Sequence, residues 1–455
     1  MRSGRCGSRL GAAIPAAFLV VAAILAIFSV GYVAMTRYIT NSGACYAFVA
    51  RGIGRPAEVA AALVALVAYT CLQVGLYGAF GPAAAGEAAA HLGVHAPWWA
   101  WALCAWAVIT LLGLLRVDIT GWVLGVLLTA EVTVILAETI AGLAAPAGGR
   151  LSFATLSPIG LTSGGFGVFG VLAVVAVLGF VGFEQAPVLA EEARHPRRTI
   201  PVATSVALGM IAIVYAGASW AMAVHNGDRR VVTAAAQQGP GLLFGLGGGA
   251  LGQAVQLLFL TSLFAAALAF HNVVWRYMFA LGRENVLPAA LCRTGANNIP
   301  KTASLIQSAT GLAVIVACVA SRQDPMNQAL LLARHNRKLR DHPAAHPDRR
   351  GGDRVLRPRP ARRKPLAAPD RTGLAAVLLA GIIVLAIQHY ATLLGVPPGS
   401  AAAWALPAAY AVAAVIGLSR GLVLKIRRPQ VYAAIGLGAH AVTGQLTPAS
   451  QQPLQ

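Results

Sequence analysis

The sequence predicts an all-α polytopic membrane protein, and its composition and the length of its apolar windows carry that prediction. Hydrophobic residues make up 57% of the 455 residues and charged residues only 11%, and the mean hydropathy is +0.69. Soluble domains usually carry about 25% charged residues. Repeated apolar windows of about 20 residues can each cross roughly 30 Å of hydrocarbon as a helix. We therefore expect one integral, multi-pass unit surrounded by lipid bilayer.

About ten apolar windows are long enough to be membrane spans. The first window follows several arginines, but it is too long for a signal peptide and has no clear cleavage site, so we interpret it as a retained span. The ten windows are 10–35, 57–84, 98–115, 119–144, 165–190, 201–223, 251–281, 303–320, 373–394 and 401–418.

The basic residues concentrate in alternating loops, which orients the spans by the positive-inside rule. A formal charge of +20 could also indicate nucleic-acid binding, but 13 of the 35 Lys and Arg residues fall between Arg334 and Arg371 and most others flank spans. We therefore expect no nucleic-acid partner and a place in the bacterial cytoplasmic membrane. The loops assigned to the cytoplasm carry Arg37, Arg51, Arg55, Arg116, Arg194, Arg197, Arg198, Arg283, Arg293, Lys301, Arg420, Lys425, Arg427 and Arg428.

Counting crossings with this orientation indicates that one span is missing before the first window and another between Ala320 and Gly373. The intervening run, 334–372, is rich in Pro and Arg and has no helical apolar period. One codon choice for Arg340 to Arg349, read one nucleotide later, encodes an apolar segment, so out-of-frame translation of a lost span is one interpretation. A basic, disordered extramembrane loop is the other. The predicted units are 1–333 (membrane core), 334–372 (basic run), 373–419 (two last spans) and 420–455 (cytoplasmic tail).

The stretch from Leu178 to Thr204 places two glycines and a carboxylate inside an apolar window. An ionisable group at that depth is costly and usually functional. Gly179 and Gly182 could interrupt the helix and expose backbone groups for a substrate, or they could simply allow close helix packing. Glu184 is a candidate proton-coupling group, and a structural acid bonded to a neighbouring helix is the alternative.

Two other windows carry polar residues at helical spacing. Tyr69, Gln73 and Tyr77 recur every four residues and mark one face of the second window, which could line a cavity or hold aromatic side chains at the membrane interface. Asn272 and Arg276 form another pair four residues apart. We expect Arg276 to reach the cytoplasmic surface or to pair with an acid, in a structural or gating role.

Glu131 and Glu138 lie seven residues apart and share a helix face, which is typical of a polar seam in a bundle.

The sequence contains no motif that indicates an enzyme. There is no phosphate-binding loop of the GxxxxGKS type, no HExxH motif and no plausible Ser-His-Asp set. The six cysteines are scattered without ligand spacing. We expect no catalytic residues, no metal site and no cofactor.

Three segments resemble the amino acid, polyamine and organocation permease superfamily. They read GFVGFEQAPVLAEEARHPRRTIPVA at 179–203, RYITNSGACYAFVARGIGRP at 37–56 and NVVWRYMFALGRENVLP at 272–288. The first is the most specific because the GFE element, the paired acids and the basic Pro-Arg-Arg-Thr-Ile-Pro loop occur in the family's order. The loop motif comprises Glu191, Glu192, Arg197, Arg198 and Pro201.

This resemblance implies an inverted-repeat secondary transporter whose substrate lies between broken first and sixth helices. The window 165–190 is similar to the sixth helix, and the family's first and tenth helices have no counterpart. The resemblance assigns Gly179, Phe180, Gly182 and Phe183 to substrate binding or gating, and Tyr69 to the cavity.

The expected function is transport of an amino acid or related amine, with protons as a candidate coupling ion. One alternative is a transport-inactive product of a truncated and frame-shifted permease gene. The other is a membrane receptor or binding protein that uses the same scaffold.

Overall fold

The fold is a bundle of long helices. The computed structural model describes residues 13–36, 43, 45–115, 117–162, 166–228, 230–239, 241–294, 300–320, 369–393, 396–397 and 399–438. The α-helices are α1 (Ile14–Thr36), α2 (Cys45–Gly52), α3 (Arg55–Leu92), α4 (Trp98–Leu112), α5 (Val117–Ala144), α6 (Ile159–Thr162), α7 (Phe166–Gly179), α8 (Pro196–Asn226), α9 (Val231–Gln238), α10 (Gly241–Phe244), α11 (Gly249–Arg283), α12 (Lys301–Ala320), α13 (Pro369–Leu393), α14 (Ala401–Arg427) and α15 (Pro429–Ala434). Three short 3₁₀ helices cover Ala154–Leu156, Phe183–Leu189 and Ala289–Cys292.

Each of the ten apolar windows contains a helix, so the predicted polytopic all-α fold is confirmed for the described residues. Eight of these helical segments are long and apolar enough to cross a membrane. The third window holds the shorter apolar helix Trp98–Leu112, and the ninth holds the apolar part Val377–Ala391 of α13. The basic run that we assigned to a lost tenth helix lies largely outside the described residues.

The long helices pack into two groups. In the first, α3, α4, α11 and α12 contact one another around a buried cluster that includes Tyr77, Ile109 and Leu268. In the second, α1 packs against α7, α8 and α13 around a cluster that includes Phe180 and Phe183. Helix α5 contacts both α8 and α11. We call these the frame group and the α1 group.

Residues from several loops with predicted cytoplasmic positions meet at one end of the bundle. The Arg55 side chain donates to the backbone carbonyl of Ala433 at 3.0 Å, and that of Arg420 donates to the carbonyl of Val286 at 3.2 Å. Arg283 reaches Glu191 at the same end. We call this the basic end of the bundle, and its composition agrees with the orientation predicted from the loop charges.

Candidate functional site

The fifth apolar window is an interrupted helix. Helix α7 ends at Gly179, and the chain then continues through a turn at 180–182 into the 3₁₀ helix Phe183–Leu189. Gly182 has a φ of 111°, a left-handed conformation that residues with a Cβ rarely adopt. The two glycines therefore have different roles, since only Gly182 makes the break possible.

Gly179 serves close packing. A Cβ at this position would lie 2.9 Å from the Phe18 ring and 3.3 Å from the Tyr215 ring, and these two rings stack with centroids 5.3 Å apart. The next residue, Phe180, is 1% exposed and belongs to the same cluster. The helix break and the close packing are thus divided between the two glycines, and a role of either one in substrate binding stays a prediction.

Glu184 is held at the break by two hydrogen-bond donors. The Tyr69 hydroxyl donates to Oε1 at 2.8 Å, and the backbone N–H of Gly182 donates to Oε2 at 2.8 Å. The Tyr32 hydroxyl donates to the backbone carbonyl of Glu184 at 2.6 Å. Because both carboxylate contacts are donors, the geometry matches the ionised form of Glu184.

The contacts of Glu184 join the two helix groups. Tyr32 belongs to α1, whereas Tyr69 belongs to α3 in the frame group, and the 3₁₀ helix itself contacts α8 and α11. Tyr69 also stacks on Phe270 of α11, with ring centroids 5.9 Å apart. The interrupted segment therefore lies at the junction between the groups.

The polar face of α3 continues from Tyr69 into the interior of the frame group. Gln73 Nε2 donates to the Tyr77 hydroxyl at 3.0 Å and lies 3.2 Å from His271 Nδ1, while Gln307 Nε2 donates to Gln73 Oε1 at 2.6 Å. Gln73, His271 and Gln307 are 0% exposed. These side chains cross-link α3, α11 and α12, so they are not membrane-interface residues.

Two ion pairs close the basic end beside the interrupted segment. Arg276 Nε and Nη2 contact the two carboxylate oxygens of Glu192 at 2.8 and 3.2 Å. Arg283 makes the same fork with Glu191, at 2.8 and 2.7 Å. The predicted acid partner of Arg276 is therefore Glu192, and both pairs tie the loop after the 3₁₀ helix to α11.

Asn272 supports Arg276 from the same helix. The Asn272 carbonyl accepts a hydrogen bond from Arg276 Nη1 at 3.0 Å, and its side-chain Oδ1 accepts one from Trp275 Nε1 at 3.1 Å. The Arg276 guanidinium lies 4.3 Å from the Trp275 ring centroid. Such stacking suits arginine better than lysine.

The rest of the loop motif lies away from these contacts. Arg197 and Arg198 are exposed in the first turn of α8, and Pro201 is buried in the same helix.

The two acids on one face of α5 have different partners. Glu131 accepts from the Ser262 hydroxyl at 2.6 Å, and Glu138 accepts from the Gly247 N–H at 2.6 Å.

A cavity of about 190 Å³ lies between the 3₁₀ helix and α11. Its wall is mainly apolar and includes the polar residues Gln185, Asn272 and Arg276. Gly182, Glu184 and Tyr69 do not line this cavity, so the predicted substrate residues and the cavity occupy different places around the interrupted segment. Their assignment to substrate binding stays a prediction.

Sequence reasoning missed Tyr32 and Arg283. Tyr32 lies in an almost wholly apolar helix, where a tyrosine is usually attributed to the membrane interface. Arg283 and Glu191 are 92 residues apart, so no local spacing indicates their pairing.

The described residues form an all-helical membrane bundle with an interrupted helix and paired charges at one end, an arrangement typical of transporters. Residues 1–330 match the model of the amino acid permease family. The chain belongs to the amino acid permease family, and it is a transporter of amino acids or related compounds. No curated protein shows a significant match to it.

Proposed function

We propose that the chain is a secondary active permease that moves an amino acid or related amine across the cytoplasmic membrane, with proton coupling at Glu184. The observation that supports this proposal best is the position of the Glu184 carboxylate. It lies at the break in the helix, bonded to Gly182 of its own segment and to Tyr69 of the frame group.

Protonation would change these contacts in a defined way. An ionised carboxylate accepts both hydrogen bonds, whereas a protonated one carries a donor on one oxygen and must give up one of them or reverse its direction. Losing the Tyr69 bond releases the interrupted segment from α3, and losing the Gly182 bond loosens the turn. Either change links proton uptake to movement of the segment against the frame group.

The ion pairs of Glu191 and Glu192 would then form the cytoplasmic gate. Both acids follow the 3₁₀ helix directly, and both partners, Arg276 and Arg283, belong to α11. Movement of the segment away from α11 must separate these pairs and opens the basic end. The Glu192 side chain is 38% exposed, which keeps its pair with Arg276 weak enough to break.

Uptake in proteoliposomes with an imposed pH gradient tests the proposal. We expect a radiolabelled amino acid to accumulate in the wild type when the interior is alkaline, and gradient-driven accumulation to be lost in Glu184→Gln while exchange continues. Glu131→Gln is the matched control, because Glu131 is also a span acid with a single hydroxyl donor, and we expect it to retain coupling.

The alternatives predict other results. Binding of amino acids without accumulation would favour a receptor, and neither binding nor uptake by the wild type would favour the transport-inactive product. Equal coupling in Glu184→Gln and wild type would contradict the role of Glu184.

A further inference from the structure

Two buried carboxylates lie at the basic end, in a place that the transport proposal does not use. Glu58, in the first turn of α3, is 0% exposed, and Glu284, directly after α11, is 1% exposed. The turn that follows α11 passes through Asn285, whose φ of 56° is left-handed. Two acids from distant parts of the chain are thereby enclosed together, within electrostatic range of each other.

Glu58 and a nearby hydroxyl lack hydrogen-bond partners. Neither carboxylate oxygen of Glu58 has a partner among the described residues, and the same holds for the hydroxyl of Tyr46, which is 1% exposed. Buried polar atoms are nearly always paired. An unpaired buried carboxylate and an unpaired buried hydroxyl within electrostatic range of each other indicate that something else satisfies them.

The Tyr46 hydroxyl lies within electrostatic range of both acids. Burial, and then the charges of Glu284 and Glu58, raise the pKa of Tyr46 well above its usual value, so the hydroxyl stays neutral at physiological pH. A neutral tyrosine hydroxyl offers oxygen lone pairs to a ligand. The cluster therefore presents oxygen atoms from two carboxylates and one hydroxyl.

The nearest arginines make their contacts elsewhere. Arg55 donates to the carbonyl of Ala433 and lies 5.3 Å from the Tyr432 ring centroid. Arg283 uses both terminal nitrogens on Glu191. Both arginines still lie within electrostatic range of one acid each, Arg55 of Glu58 and Arg283 of Glu284, but neither donates a hydrogen bond to Glu58.

The C-terminal segment 435–438 closes the cluster. A Cβ at Gly436 would lie 3.1 and 3.2 Å from the two oxygens of Glu58, so the backbone of this segment passes directly over the carboxylate. The Gly438 N–H donates to Glu284 Oε1 at 3.1 Å. Ile435, 2% exposed, packs in the adjoining core cluster.

We propose that Glu58, Glu284 and Tyr46 form a binding site for a hard inorganic cation, closed by residues 435–438. Carboxylate and hydroxyl oxygens are ligands of Ca²⁺ and Mg²⁺, and two carboxylates match a divalent charge. The described residues hold no group of three or more His, Cys, Asp and Glu that could bind a metal ion, so the proposed site depends on two acids and a hydroxyl. These are oxygen ligands only, whereas transition metals prefer nitrogen and sulfur. A proton held by Glu58 is the competing explanation, and it predicts a Tm that does not depend on added cations.

The site also gives the cation a role in the fold. A bound cation attracts both acids, and Glu284 in turn holds Gly438. Cation binding therefore keeps the C-terminal segment docked between α3 and α11, at the end of the bundle where the ion pairs lie.

Thermal unfolding of the full chain in lipid nanodiscs tests the site. CaCl₂, MgCl₂, NaCl and KCl are compared with choline chloride at equal ionic strength. We expect at least one of these cations to raise the Tm saturably, by about 3 °C or more at saturation. The shift should disappear in Glu58→Gln and persist in the control Glu87→Gln, an acid at the other end of α3.

A second readout covers the case in which Glu58→Gln does not fold. Tyr46→Phe removes a single oxygen and should weaken the apparent cation affinity by about tenfold. In the wild type, the same cation should slow trypsin cleavage after Arg427, which precedes the docked segment. A Tm independent of all four cations, or the same cation shift in Glu58→Gln as in wild type, would overturn the proposal.

Discussion

The interrupted segment and the frame group both place polar side chains inside an apolar bundle, yet they connect them differently. In the frame group, Gln73, His271 and Gln307 are fully buried and bonded side chain to side chain across three continuous helices. In the segment, Glu184 is partly exposed and bonded to one side chain and to a backbone N–H within its own turn. The frame is cross-linked throughout, whereas the segment is attached at a few points.

This difference indicates which part can move. Breaking the frame network leaves several buried polar groups unsatisfied at once, which is expensive. Moving the segment breaks fewer polar contacts between it and the other helices, namely the Tyr69 bond, the Tyr32 bond and two ion pairs. The free-energy difference favours motion of the segment against a rigid frame.

The largest expected effect is on the frame. Gln73→Leu leaves His271 Nδ1 and Gln307 Nε2 without the partners they have now, and we expect a loss of about 3 kcal/mol in unfolding free energy. Reversible unfolding in mixed micelles measures this loss in unfolding free energy. Thr310→Val on α12 is the control, since Thr310 is partly exposed and its hydroxyl bonds to the Ile306 carbonyl of the same helix. A loss below about 1 kcal/mol would show that the network does not hold the frame together.

Gly182→Ala should have the next largest effect. A Cβ at this position has open space around it, but the left-handed φ of 111° should reduce the unfolding free energy by about 1–2 kcal/mol. Because the turn must shift to relieve this strain, we expect uptake to fall strongly. Gly209→Ala is the matched control because Gly209 lies within α8, has open space around it and has no positive φ. Equal uptake by the two variants would show that the break does not depend on Gly182.

Glu192→Gln should change access more than stability. The pair with Arg276 is partly exposed, so its removal should cost less than about 1 kcal/mol. We expect labelling of a Gln185→Cys background by a membrane-impermeant maleimide from the cytoplasmic side to rise several-fold, because Gln185 lines the adjacent cavity. Unchanged labelling would contradict a gate at this pair.

The smallest effect is expected at the exposed end of the loop motif. Arg197→Ala and Arg198→Ala remove exposed side chains, so each should change stability by no more than about 0.5 kcal/mol. Chemical unfolding checks this directly. A larger loss would place these arginines in contacts that the present geometry does not include.

The sequence was sufficient to predict the helices because the length and hydrophobicity of a span are local properties. The windows 57–84 and 401–418 were too short, since α3 continues to Leu92 and α14 to Arg427, where polar residues end the apolar pattern without ending the helix. The break was placed correctly, but periodicity could not tell that Gly182 adopts the left-handed turn while Gly179 packs against Phe18.

Partners across the bundle were beyond prediction. Glu192 and Arg276 are 84 residues apart, and Tyr32 and Glu184 are 152 apart, so their contacts depend on how the helices pack. The proximity of Glu58 and Glu284 could not be predicted either, because in the sequence each is a single acid beside a basic loop and only the fold brings the two together.

Hydrogen exchange on the full chain in nanodiscs, followed by mass spectrometry, tests most directly whether Glu184 ties a mobile segment to a rigid frame. The account predicts that peptides covering 180–189 exchange faster in Tyr69→Phe and in Glu184→Gln than in wild type, while those covering 70–80 remain equally protected. Unchanged exchange at 180–189, or equal acceleration in both regions, would contradict it.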